Sequence, residues 1–201
     1  MTTTRTRAVL VALTATAALA LTACGSNDDT TNGAPAATSA PATATAGAHN
    51  AQDVSFAQGM IPHHQQALEM AELAADRASS AQVKDLAARI EKAQDPEITT
   101  MTGWLKAWGE DVPMAGMDHS GHAGMSGMMS DKDMTVLKKA QGADFDTMFL
   151  TMMVQHHQGA VEMAGTEKSK GDYAPATSMA DAIVTAQNAE IKEMNKLLGK
   201  G

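Results

Sequence analysis

Cysteine is almost absent from this chain: Cys24 is the only one in 201 residues. A single thiol cannot close a disulfide within the chain, and it cannot supply the sulfur ligands of a Cys-rich metal site. Positive charge is also short, with 15 Lys and Arg against 23 Asp and Glu and a formal net charge of −8. A chain of that sign is repelled by nucleic acid and by anionic lipid. No segment alternates apolar and polar residues in the manner of a strand, which excludes a sheet-based fold. There is no nucleophile elbow and no pair of catalytic carboxylates, so hydrolytic and acyl-transfer chemistry has no support. Glu-x-x-His, the pair that ferritin-like di-metal oxidases project into their core, does not occur either.

What is present begins with a leader. Arg5 and Arg7 form a positive start, and Ala8 to Leu21 is an apolar run too short to span a bilayer by itself. The run ends in Leu21-Thr22-Ala23-Cys24-Gly25, the pattern of a bacterial lipobox. It predicts a signal peptide over 1–23 and a mature N-terminus at Cys24 carrying lipid, hence a protein anchored to the outer face of the cytoplasmic membrane. A plain secretory signal with an incidental cysteine is the alternative. Loss of Arg5 and Arg7 leaves 13 basic side chains of the 15, against 23 acidic ones, a net charge of −10. Membrane contact then rests on the acyl anchor alone. Residues 24–52 continue as Ala, Thr, Pro, Ser, Gly and Asn with almost no large apolar side chain, which is the composition of a disordered tether.

The remainder, 53–199, is a duplication. At a constant offset of 93, Asp53, Phe56, Met60, His63, His64, Gln65, Glu69 and Met70 meet Asp146, Phe149, Met153, His156, His157, Gln158, Glu162 and Met163. The register continues without a gap, so that Ile90, Ala93, Gln94, Glu97, Ile98 and Met101 meet Ile183, Ala186, Gln187, Glu190, Ile191 and Met194. Each copy (53–108 and 144–199) reads as two helices rich in Ala, Leu, Met, Glu, Lys and Gln. The first pair is expected over 53–78 and 80–108, the second over 144–168 and 175–198. Pro62 and Pro96 lie inside helices and are expected to kink them. Two hairpins joined by a connector over 109–143 predict an all-α fold, a four-helix bundle. Ser130 and Asp133 stand at capping-box spacing and open a short connector helix.

Helical geometry at 100° per residue places Phe56, Met60, His63, His64, Ala67, Met70 and Ala71 on one stripe, with Glu69 opposite. The second copy repeats it with Phe149, Met153, His156, His157, Ala160, Met163 and Ala164. Two readings fit: hydrogen-bonded core histidines, or imidazole and thioether donors for a soft ion, above all Cu(I). The connector adds Met114, Met117, His119, His122, Met125, Met128 and Met129 on a Gly, Ser and Ala chain. No aliphatic residue accompanies these methionines, so a packed core is not expected there. A soft ion that takes two to four ligands without strict geometry is the use for such a string.

The doubled pattern Met60-Ile61-Pro62-His63-His64-Gln65…Glu69-Met70-Ala71 and Met153…His156-His157-Gln158-Gly159-Ala160…Glu162-Met163-Ala164 resembles the bacterial "domain of unknown function 305" family over 53–199. The resemblance implies an exported, ferritin-like four-helix bundle, with some members linked to copper binding and tolerance. Gln155 stands where many second copies carry proline. Three readings remain: a lipid-anchored copper-binding protein, a non-catalytic helical envelope module, and a ferritin-like di-metal oxidase.

Overall fold

A computed structural model describes residues 47–113 and 126–200. The leader, Cys24 and the tether up to residue 46 lie outside the described residues, as do Met114, Met117, His119, His122 and Met125.

The described chain is helical: α1 (Ala51–Glu72), α2 (Ala74–Arg77), α3 (Ala81–Trp108), α4 (Asp131–Lys139), α5 (Gly142–Lys170) and α6 (Ala174–Leu197). Caps in the sequence set the starts. Asn50 and Asp53 form a capping box on α1, the Asn50 side chain accepting from the backbone of Gln52 and Asp53 while Asp53 accepts from the Asn50 backbone at 2.6 Å. Ser130 and Asp133 do the same for α4, as their spacing predicts. α3 stops at Gly109, whose φ of 77° only glycine adopts cheaply. α1 and α3 run on through Pro62 and Pro96. The first predicted helix runs on as α1 and α2, interrupted only at Leu73, whose φ of −65° and ψ of −25° stay helical.

α1 packs along α3 and α5 along α6, and the hairpins meet through α1 and α5. Two apolar clusters result. One joins the C-terminal half of α1 (Ala67, Met70, Ala71) to the N-terminal half of α5 (Phe145, Phe149, Met153). The other joins Phe56, Ala57 and Met60 to Ala160 and Ala164. α1 and α5 are therefore antiparallel, and the two His-His doublets fall between the clusters. Each large apolar side chain buried in them contributes about 1.5–3 kcal/mol.

The halves cap each other. Asp146 at the start of α5 accepts from the backbone of Ser79 and Ser80 and from the Ser79 hydroxyl, in the turn of the first hairpin. Asp53, its counterpart, accepts from the backbone of Asp172 and Tyr173 in the turn of the second. One asymmetry interrupts the pair: beside Asp53 lies Glu167, fully buried with no hydrogen-bond partner on either oxygen, where the first copy has Ala74. Burial first, and the Asp53 carboxylate second, push Glu167 up to about 8.

The end of the connector is not a free loop. Gln66 donates to the Met129 carbonyl at 2.9 Å and accepts from its amide at 2.7 Å. At the matching position of α5, Gly159 lets Ser126 and Gly127 lie directly on the helix backbone. The expectation that connector methionines stay out of the core fails for Met129, whose side chain is buried in the first apolar cluster. Gln66 supplies the backbone hydrogen bonds that let a Gly/Ser-rich stretch be buried there.

Candidate metal centre

Four imidazoles occupy the layer between the apolar clusters, and all four are essentially inaccessible to solvent. Their burial follows from the helical stripe, because His63 and His64 lie on the face of α1 turned to α5, and His156 and His157 on the face of α5 turned to α1. The rings of His63 and His156 meet across the seam, with centroids 3.7 Å apart and planes tilted by 39°. Within each doublet the centroids are 6.5 Å apart.

The outer ring of each doublet is anchored from its own hairpin. His64 Nε2 contacts Glu97 Oε2 on α3 at 2.8 Å, and His157 Nε2 contacts Glu190 Oε2 on α6 at 2.7 Å. A carboxylate can only accept, so Nε2 carries the proton in both rings. A neutral ring held this way leaves Nδ1 as a bare lone pair, the arrangement by which a carboxylate orients a metal-binding histidine.

Six imidazole nitrogens in this layer have no hydrogen-bond partner: both of His63, both of His156, and Nδ1 of His64 and of His157. Buried polar atoms are normally satisfied, and each orphan costs about 1–3 kcal/mol. His63 and His156 thus lack a hydrogen-bond partner of normal geometry, a weak contact of His63 with the Ser126 backbone apart. Burial pushes His63 down to about 3, assisted by the neighbouring His64 and His157, with the Ser126 backbone acting weakly the other way. His156 is lowered well below the ordinary imidazole range, by burial first and then by His63. Both rings are neutral at physiological pH, the protonation state a metal requires of them.

Among the described residues no three His, Cys, Asp or Glu side chains converge on a common point. The geometry thus offers no preformed tris-histidine zinc site and no carboxylate-bridged di-metal site. What it offers is imidazoles in pairs. Met60 and Met153, fully buried, stand one helical turn before their doublets and on the same face. Neutral imidazole with thioether at low coordination number suits Cu(I) and Ag(I). Met70 and Met163 lie about two turns beyond the doublets, Met70 fully buried and Met163 half-buried among apolar side chains. Met128 is half-buried at the connector anchor.

Sequence reasoning passed over Glu97, Glu190, Gln94 and Gln187. Gln94 and Gln187 are almost fully buried, and each leaves its amide oxygen without a donor. Their signal was in the repeat: Gln94 and Glu97 recur at the offset of 93 as Gln187 and Glu190.

Two helical hairpins packed around a layer of buried imidazoles define an all-α protein. The chain belongs to the DUF305 family, whose model, a domain of unknown function, matches residues 53–198. A DUF305 protein from Streptomyces coelicolor is similar in structure, with 31% identity, a TM-score of 0.67, and coverage of 74% of this chain and 93% of that one. A DUF305 fragment from Deinococcus radiodurans matches with 31% identity and a TM-score of 0.67, over 76% of this chain and 98% of that one. CopM in its Cu(II)-bound form is 38% identical, with a TM-score of 0.64, over 73% of this chain and 95% of that one. CopM is also known in Cu(I)-bound and Ag-bound forms. No curated protein matches the chain. No helix among the described residues is long and apolar enough to cross a membrane.

Proposed function

We propose that this protein is an exported, lipid-anchored copper-binding protein that sequesters Cu(I) outside the cytoplasmic membrane or hands it on. The observation that carries the reading is the set of six buried, unpartnered imidazole nitrogens. His63 and His156 are the central pair of donors. His64 and His157, oriented by Glu97 and Glu190, present Nδ1 from either side, with Met60 and Met153 as the adjacent thioethers. Met70, Met163, Met128 and Met129 are secondary candidates from their positions. Met114, Met117, His119, His122 and Met125 would form a separate soft site on the connector. Thioethers take up no proton in acid, so the methionines of that site keep binding where imidazole ligands are lost. The similarity to CopM, a protein solved with Cu(II), Cu(I) and Ag, supports the metal. Residues 1–23 and Cys24 support export and anchoring, and the Streptomyces coelicolor relative carries the description of a secreted protein.

The test is a Cu(I) titration of the full chain in detergent against a competing chelator, compared with the His63→Ala, His156→Ala double variant. The double variant is expected to lose at least one tightly bound ion, or about tenfold or more in affinity, while helical circular dichroism is kept. Unchanged stoichiometry and affinity would remove the histidine layer as the site.

A further inference from the structure

The histidine layer lies at the centre of the helices, so an ion needs a way in. On α1 and α5 the connector closes the seam, with Ser126 and Gly127 seated on Gly159 and Met129 clamped by Gln66. Between α3 and α6 the packing is looser. There a cavity of about 20 Å³ is lined by Ala93, Gln94 and Glu97, by their repeat partners Ala186, Gln187 and Glu190, and by Ile183. That volume holds one water-sized occupant.

The lining has the chemistry of a cation stop. Glu97 and Glu190 contact no Lys or Arg among the described residues, and each meets a histidine instead, His64 and His157. Their side chains are 24% and 16% exposed, so each carboxylate touches solvent on one side and a buried imidazole on the other. Gln94 and Gln187, at 3% and 4% exposure, add two buried amide oxygens that no donor reaches. Two glutamates and two glutamines with unpartnered amide oxygens therefore stand around a space the size of one ion, with Ile183 as its apolar side. Ala93 and Ala186, both exposed, stand at its rim.

We infer that the α3–α6 cleft is the ion's entrance, and that Glu97, Glu190, Gln94 and Gln187 form an outer staging site from which a monovalent soft cation passes to the imidazoles. This rests on the copper-binding reading above. The oxygens hold the ion weakly because a soft cation prefers nitrogen and sulfur, and the carboxylates raise its local concentration at the mouth. His64 and His157 are the hand-over points, since each touches a staging carboxylate through Nε2 and turns Nδ1 inward.

The experiment follows uptake and release of aqueous Ag(I) by the full chain in nitrate buffer, using a silver-selective electrode with rapid mixing. Ala93→Val with Ala186→Val narrows the mouth of the cavity, where both alanines are exposed. It is expected to slow uptake and release together by at least tenfold, with the dissociation constant and the number of ions unchanged. Glu97→Gln with Glu190→Gln preserves the acceptor on each histidine and removes the charge. It is expected to slow uptake about tenfold and to flatten its dependence on ionic strength. If the valine pair unfolds the protein, the glutamine pair decides alone. Uptake as fast as in the parent protein, with the parent's salt dependence, overturns the entrance while leaving the copper reading standing. A parent protein that takes up no Ag(I) overturns both.

Discussion

Replacing Gly159 by alanine should separate two effects that the same substitution has on one helix. A Cβ at Gly159 would lie 2.0 Å from the Ser126 carbonyl oxygen and 2.8 Å from Gly127 Cα. Carbon and oxygen normally approach no closer than about 3.3 Å, and both partners here are backbone, so no rotamer change relieves the clash. α5 is held by its own hydrogen-bond ladder, and the connector must give way. Its displacement breaks the two hydrogen bonds between Gln66 and Met129, each worth about 1 kcal/mol. It also exposes the Met129 side chain, a further loss of about 1.5–3 kcal/mol. Against this stands the gain of about 1 kcal/mol for alanine over glycine inside a helix. The net expectation is a loss of about 2.5–4 kcal/mol. Gly165 lies six residues along the same helix, exposed and with nothing within 4 Å of where a Cβ would stand, so Gly165→Ala should instead stabilise by about 0.5–1 kcal/mol. Urea unfolding monitored by circular dichroism measures both, and hydrogen exchange at the Met129 amide reports whether the connector has lifted. If Gly159→Ala stabilises as Gly165→Ala does, the connector does not sit on the backbone of α5.

Glu167 makes stability depend on pH with a definite sign. Its folded pKa of about 8 stands above the ordinary 4.5, so between those values the folded state holds a proton that the unfolded chain has released, and stability falls as pH rises through that window. Glu167→Gln should flatten the fall between pH 5 and pH 8 in urea midpoints, and an unaltered slope would assign it to other groups. Asp146→Ala strips the acceptor from Ser79 and Ser80 and should cost about 2–3 kcal/mol in the same assay, whereas a loss under about 0.5 kcal/mol would mean that water replaces it. Cys24→Ser should leave the protein unprocessed or shed from membranes, and normal processing and retention of that variant would refute the lipobox.

The offset of 93 and the 3.6-residue stripe are local signals, and the helical hairpins, the burial of both doublets and the Ser130–Asp133 cap were readable from them. The partners of the histidines were harder to see. Glu97 lies 33 residues from His64, on a different helix, and nothing within α3 says which of its faces meets α1. Repetition singled out Gln94 and Glu97 without saying what they touch, because duplication copies structural residues along with functional ones. Met129 was misjudged through its neighbours: Gly127 and Ser126 suggest an open loop, but a small-residue stretch is also what lies flat against a helix at a glycine.

The crossed capping of the turns bears on how the chain becomes a protein at all. Asp53 waits for backbone amides 119 and 120 residues further along, and Asp146 reaches back 66 and 67. A chain delivered N-terminus first can form its first hairpin early, but the start of that hairpin stays unfinished until almost the last residues have arrived. The imidazole layer, which takes one doublet from each half, shares that delay. Closure over such a separation is slow to find yet adds little entropy cost per extra residue. A chain truncated anywhere before residue 172 would thus lack a complete fold, and one cut before the second doublet would lack half of the imidazole layer too, so the layer forms only in a chain of nearly full length.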